Sequence, residues 1–193
     1  MKQEKNRQRR QRQAKVLRIT RKAHRVTGIC LFAFFVFIAT TGMLLGWKKN
    51  SGNLILPKTY QGSSTELEEW LSLDELKKRA VAAYSEKFGP NDEPVVDRMD
   101  VRANKGTLKV RFKNHYHEVQ LDGATGAVLH AGKRRSDLLE QIHDGSIIDK
   151  LFGFDLGAFK LVYTSVMGTA LLIFTGTGFW LWYGPKRMRR EQG

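Results

Sequence analysis

Chemistry in this chain falls to five histidines, one cysteine and a few paired carboxylates. His24 sits in R-K-A-H-R at the start of an uncharged stretch, and His143 in Q-I-H-D-G ahead of a second one. A neutral imidazole nitrogen at either place is a competent metal ligand; it is equally at home as a polar residue at a membrane boundary. His115 and His117 share one face if both lie on a strand, a spacing that can chelate a metal, but two ligands without a third make a poor site. His117 also shares parity with Val119 and Leu121, so it reads as a core or edge histidine, and His130 reads as surface. Cys30 is the only cysteine and rules out an intramolecular disulfide. Glu68-Glu69 and Asp74-Glu75 fall at a helix start, where acids suit the dipole. No G-x-S-x-G, H-E-x-x-H or Gly-rich phosphate loop is present, which leaves hydrolysis without sequence support.

The elements that place these residues are two apolar stretches. Val26 to Trp47 holds no charged residue and, as a helix, measures about 33 Å against a hydrocarbon core of about 30 Å. Leu161 to Tyr183 is the second. Neither carries a charged side chain that could relay protons or ions across a bilayer centre. The first exceeds the apolar core of a signal peptide, and no small-x-small site follows in K-K-N-S-G-N-L, so it reads as a retained anchor. Trp47, Trp180, Trp182 and Tyr183 are expected as interface anchors. Gly42 and Gly46 form a G-x-x-x-G pair, and with Gly168 they are expected at close helix contacts.

The net charge of +14 is concentrated at the ends. Residues 1–25 hold 11 Lys/Arg and one acid, and residues 184–193 hold four and one. Basic flanks are retained on the cytoplasmic side, so both termini are expected inside and the near-neutral middle outside. The tails are expected to meet anionic lipid rather than nucleic acid.

The expected order is a basic tail (1–22, its first 15 residues disordered or loosely helical), a first transmembrane helix (23–47), a linker (48–66), an external domain (67–133), a connector (134–159), a second transmembrane helix (160–183) and a basic tail (184–193). In the external domain Ser72 and Glu75 make a capping box for an amphipathic helix from Leu73 to about Lys87, ended by Gly89-Pro90. Alternation then marks strands at Met99–Val101, Leu108–Phe112, His117–Leu121 and Val128–His130, with turns at 104–106, near Asn114 and at 122–126. One helix on an antiparallel meander is the expected α+β fold, too small for a deep pocket but with a sheet edge able to take a peptide strand.

Helix, strands and V-Q-L-D-G-A-T-G at Val119 to Gly126 resemble a PepSY domain. A-H-R-V-T-G-I at Ala23 to Ile29 and T-G-M-L-L-G-W at Thr41 to Trp47 resemble the first helix of the PepSY-associated transmembrane family. I-H-D-G at Ile142 and T-G-F-W-L-W at Thr177 resemble its later helix. The resemblance covers about residues 21–187. It implies a bacterial inner-membrane protein with two transmembrane helices flanking a periplasmic α+β domain. The Gly/Thr-rich helix faces and the lack of catalytic motifs favour an accessory or interaction subunit whose external domain binds a protein or peptide. The alternative is a haem-binding redox subunit of a ferric or siderophore-iron reductase-like system. In that case His24 and His143 are the haem b ligands. They lie on opposite sides of the membrane, so a homodimer or larger complex must complete each site.

Overall fold

The structure, a computed structural model, describes residues 2–89, 94–113 and 115–190; Pro90 and Asn114, expected at turns, lie outside the described residues. The chain divides into two compact units, one made of residues 42–141 and the other of residues 1–41 with 142–193.

The first unit is built on helix α2 (Leu73–Phe88) and four strands, β1 (Val96–Arg102), β2 (Thr107–Phe112), β3 (His117–Asp122) and β4 (Val128–Lys133). The strands pair antiparallel in sequence order, with Val110 opposite Val119 and Val119 opposite Ala131. The α2 cap forms as its sequence dictates: the Ser72 hydroxyl accepts the Glu75 N–H at 3.2 Å. The Glu75 carboxylate turns instead to Arg79, one helical turn on. Leu76, Ala80 and Tyr84 are fully buried against Leu108, Val110, Val119 and Leu121. Gly89 ends the helix at φ +98°, a conformation that suits a residue without Cβ.

The opposite face of the sheet is also covered. Residues 54–66, expected as a linker, lie across it as a strap. The Tyr60 N–H donates to the Gln120 side-chain carbonyl (3.1 Å), and Gln120 donates to the Lys58 carbonyl (2.9 Å). Ser63 bonds Asp122 through its N–H and its hydroxyl. The Gly62 N–H reaches the Lys105 carbonyl at 2.7 Å, and a Cβ at Gly62 would fall 1.9 Å from the Gly106 carbonyl oxygen, so only glycine fits. Beside the strap lies an ion network. Glu118 meets Arg134 at 2.5 Å and Lys109 at 3.6 Å, while Asp137 pairs with both Arg134 and Arg111. Burial alone would lower the Arg134 pKa, but Glu118 and Asp137 raise it above its usual value; for Lys109 burial wins and the pKa falls.

Three histidine expectations meet this unit. His117 is a core residue, its ring stacked on Phe88 at 3.8 Å and its Nδ1 3.2 Å from the Tyr84 hydroxyl. His115 does not share its strand face; it lies in the preceding turn at φ +56°. Among the described residues no group of three or more His, Cys, Asp or Glu could hold a metal ion. His130 is half-buried rather than surface, stacked on Tyr60, because the strap brings that ring over the sheet.

The second unit contains α1 (Lys2–Gly46), the end of α3 (Arg135–Asp144), α4 (Ser146–Phe152) and α5 (Ala158–Arg190). Helix α1 is continuous from its basic tail. The tail expected to be disordered or loosely helical is α-helical because Gln, Arg, Lys and Ala are good helix formers and no Gly or Pro precedes Gly28. Half-buried or buried positions on α1 (Leu17, Thr20, His24, Gly28, Leu31, Phe35, Ile38, Thr41) and on α5 (Tyr163, Met167, Ala170, Phe174, Thr177, Leu181, Gly184) repeat every three or four residues. Within them His24, Gly28 and Phe35 of α1 meet Phe174 of α5 in a seam. Away from the seam the apolar side chains are bare: Ile29 is 72% exposed and Leu172 76%.

Candidate functional site

The two histidines singled out by sequence both lie in the helix unit, and both are held by the same device. The His24 ring stacks on Phe174 (centroids 4.1 Å, 18° between planes), and its Nδ1 is 3.1 Å from the Phe174 carbonyl and 3.0 Å from the Thr177 hydroxyl. A carbonyl only accepts, so Nδ1 carries the proton and donates. The Thr177 hydroxyl spends its own hydrogen on the Ile173 carbonyl at 2.7 Å, which leaves a lone pair for the same N–H. His143 repeats the arrangement. Its Nδ1 is 2.7 Å from the Thr41 hydroxyl, whose hydrogen goes to the Phe37 carbonyl at 2.8 Å. In His24 the second nitrogen, Nε2, then holds the lone pair, and in His143 it does so with Nδ1 as the donor to Thr41; among the described residues neither Nε2 makes a hydrogen bond.

Glycine makes room for the His24 contact. A Cβ at Gly28 would fall 2.9 Å from the Phe174 ring, and one at Gly178 would fall 3.2 Å from His24 Cε1. His143 lines a groove of about 570 Å³ with Phe35, Ile38, Ala39, Met167 and Gly168, which ends at Phe174. From His24 to the Thr41 that holds His143 is 17 residues of continuous helix, about 25 Å. Two nitrogens that far apart cannot meet at one metal ion, whose bonds to imidazole are about 2 Å.

The remaining candidates are placed as follows. Gly46 and Gly168 have no atom within 4 Å of a would-be Cβ; the helix approaches in this chain fall at Gly28 and Gly178. Gly42 is half-buried. Trp47, Trp182 and Tyr183 are exposed, and Trp180 packs on Gly184. Sequence reasoning passed over Thr41, Thr177, Gly28, Gly178 and Phe174. Four of the five stood inside the quoted motifs A-H-R-V-T-G, T-G-M-L-L-G-W and T-G-F-W-L-W, where only the histidine had obvious chemistry.

Two helices long and apolar enough to cross a membrane, with a four-stranded antiparallel sheet between them in sequence, define a paired-helix class of membrane-associated protein. Residues 21–193 match the family described as PepSY-associated TM region, and the chain belongs to that family. No curated protein and no solved structure matches the chain.

Proposed function

We propose that this is an inner-membrane protein with both termini cytoplasmic and a periplasmic PepSY-like domain, and that its helix pair holds haem b at His24 and at His143 in a redox subunit. The carrying observation is the shared contact: each imidazole sets Nδ1 against a helix-borne threonine hydroxyl, and with Nδ1 as the donor Nε2 is left for a metal. This is how ligating histidines are oriented. The apolar groove beside His143 offers a macrocycle a dry face. Haem bound there would supply one-electron transfer. The protein's part is to fix ring orientation and exclude water. The separation of the two rings requires two irons, each completed by a second copy or another membrane subunit. The visible spectrum of protein purified in mild detergent after growth with ample haem tests this. A sharp band that narrows to one population in His24→Ala or His143→Ala supports it; a featureless spectrum overturns it.

A second reading, an accessory subunit whose external domain binds a protein or peptide, is favoured by the edge strand β4. There Val128 is exposed beside a groove of about 560 Å³ formed with Ala83, Lys87 and His130. A photo-crosslinker at Val128 in living cells should give one discrete adduct that is absent with the crosslinker at Asp97. No adduct counts against this reading.

A further inference from the structure

The end of α4 and the turn into α5 carry large apolar side chains that no other described residue covers. Leu151 is 73% exposed, Phe152 71% and Phe154 50%, and Leu156 is wholly bare. Leu156 also sits at φ +59°, a backbone conformation unfavourable for a residue with a bulky side chain. A leucine that is both strained and bare has no stabilising role in water.

The turn is nonetheless well built. The Phe154 N–H donates to the Asp149 carbonyl at 3.0 Å. The buried Asp149 carboxylate accepts the N–H groups of Phe159 (2.8 Å) and Lys160 (3.0 Å), capping the start of α5. Gly153 closes α4 at φ +66°. Helix α4 is apolar on two sides. Ile147 and Ile148 face a cavity of about 430 Å³ with Phe34, Phe37, Phe159 and Tyr163, while Leu151 and Phe152 face outward. A helix apolar on both sides is one whose outer side is also buried by something. Leu161, Val162 and Val166, on the first turns of α5, are exposed as well.

We infer that Leu151–Leu156 is a lipid-insertion wedge. It enters the leaflet at which α5 begins, its side chains among the first methylenes of the phospholipid acyl chains, and holds α4 at the bilayer surface. The apolar run is short and ends at Lys160, which limits the depth to the headgroup–acyl boundary. Insertion presupposes that α5 crosses the bilayer, as proposed above. It owes nothing to haem. Its consequence is a fixed depth for His143, three residues before α4.

Nitroxide labels in the full chain test this, in nanodiscs of phosphatidylcholine and phosphatidylglycerol and in a Cys30→Ser background. Leu156→Cys carries the label, with Leu172→Cys as control. Collision with oxygen and with a water-soluble nickel chelate reads depth. The wedge predicts that oxygen reaches the Leu156 label several-fold better than nickel does, and that the Leu172 label lies deeper still. Nickel access at Leu156 with a deep Leu172 overturns the wedge and leaves the span standing; nickel access at both overturns the span as well. Spin–spin broadening at Leu156, with neither probe reaching it, means that protein covers the knuckle and also overturns the wedge. Leu156→Asn suits the left-handed backbone and keeps the fold. In that variant a label at Phe154→Cys should gain several-fold in nickel access, and an unchanged ratio counts against insertion.

Discussion

A threonine hydroxyl can decide which nitrogen of a histidine is free. Thr177 and Thr41 each return their hydrogen to their own helix and offer a lone pair to an imidazole N–H. Thr→Val keeps the shape and removes that lone pair. Thr41→Val should weaken haem retention at the His143 site about 10- to 100-fold and leave the His24 site alone. Thr177→Val should act more mildly, since the Phe174 carbonyl still receives the His24 proton. Haem titration of each variant, followed by visible absorbance, checks both. The histidines were legible in the sequence because imidazole is rare beside an apolar span. Their partners were not, because a threonine in an apolar helix looks like any small residue until the facing helix is placed. Gly178 shows the same blind spot: its worth is the space it leaves for His24.

Among the elements, α2, β2 and β3 were readable to within a residue, since cap, period and turn glycines agreed, while β1 begins three residues before the expected Met99 and β4 ends three after the expected His130. The strap was not readable. It bonds to the sheet through backbone groups and short polar side chains, which leave no apolar period in residues 54–66. For the same reason β2 and β3 read as one-sided strands although Lys109, Glu118 and Gln120 are buried on the second side. Gly62→Ala should destabilise this unit by about 2 kcal/mol or more, because the strap's backbone must move; chemical denaturation followed by circular dichroism reads it. Asp122 links the strap to pH. Burial opposes its ionisation, but hydrogen bonds from Thr125, Ser63 and Ala124 outweigh burial and hold its carboxyl below the usual range. Its contribution to stability is therefore present above the unfolded value near 3.8 and lost as pH falls through the lower folded value. His130 adds an earlier step. Burial pushes its pKa down, so its contribution is full above the unfolded value near 6.5 and fades as pH falls through the lower folded one. Unfolding temperatures between pH 8 and 3 should show both losses. Asp122→Asn should remove the later one and His130→Gln the earlier.

For the whole molecule, charge and hydropathy together argue orientation. With +10 in residues 1–25 and +3 in residues 184–193, alkaline phosphatase, active only outside the cytoplasm, should be silent when fused after Gly193 and active when inserted after Lys105. Activity at the C-terminus would reverse the proposed topology.

The order β1-β2-β3-β4 also bears on how the protein is made. Every strand pairs with its neighbour in sequence, so the sheet can form as soon as Lys133 is clear of the ribosome, while α5 is still unsynthesised. The strap closes contacts to the meander 43 to 62 residues apart and must wait for the finished sheet. A chain stalled shortly after Lys133 would therefore carry a folded meander tethered by a single membrane helix, with the partner that seats His24 not yet made.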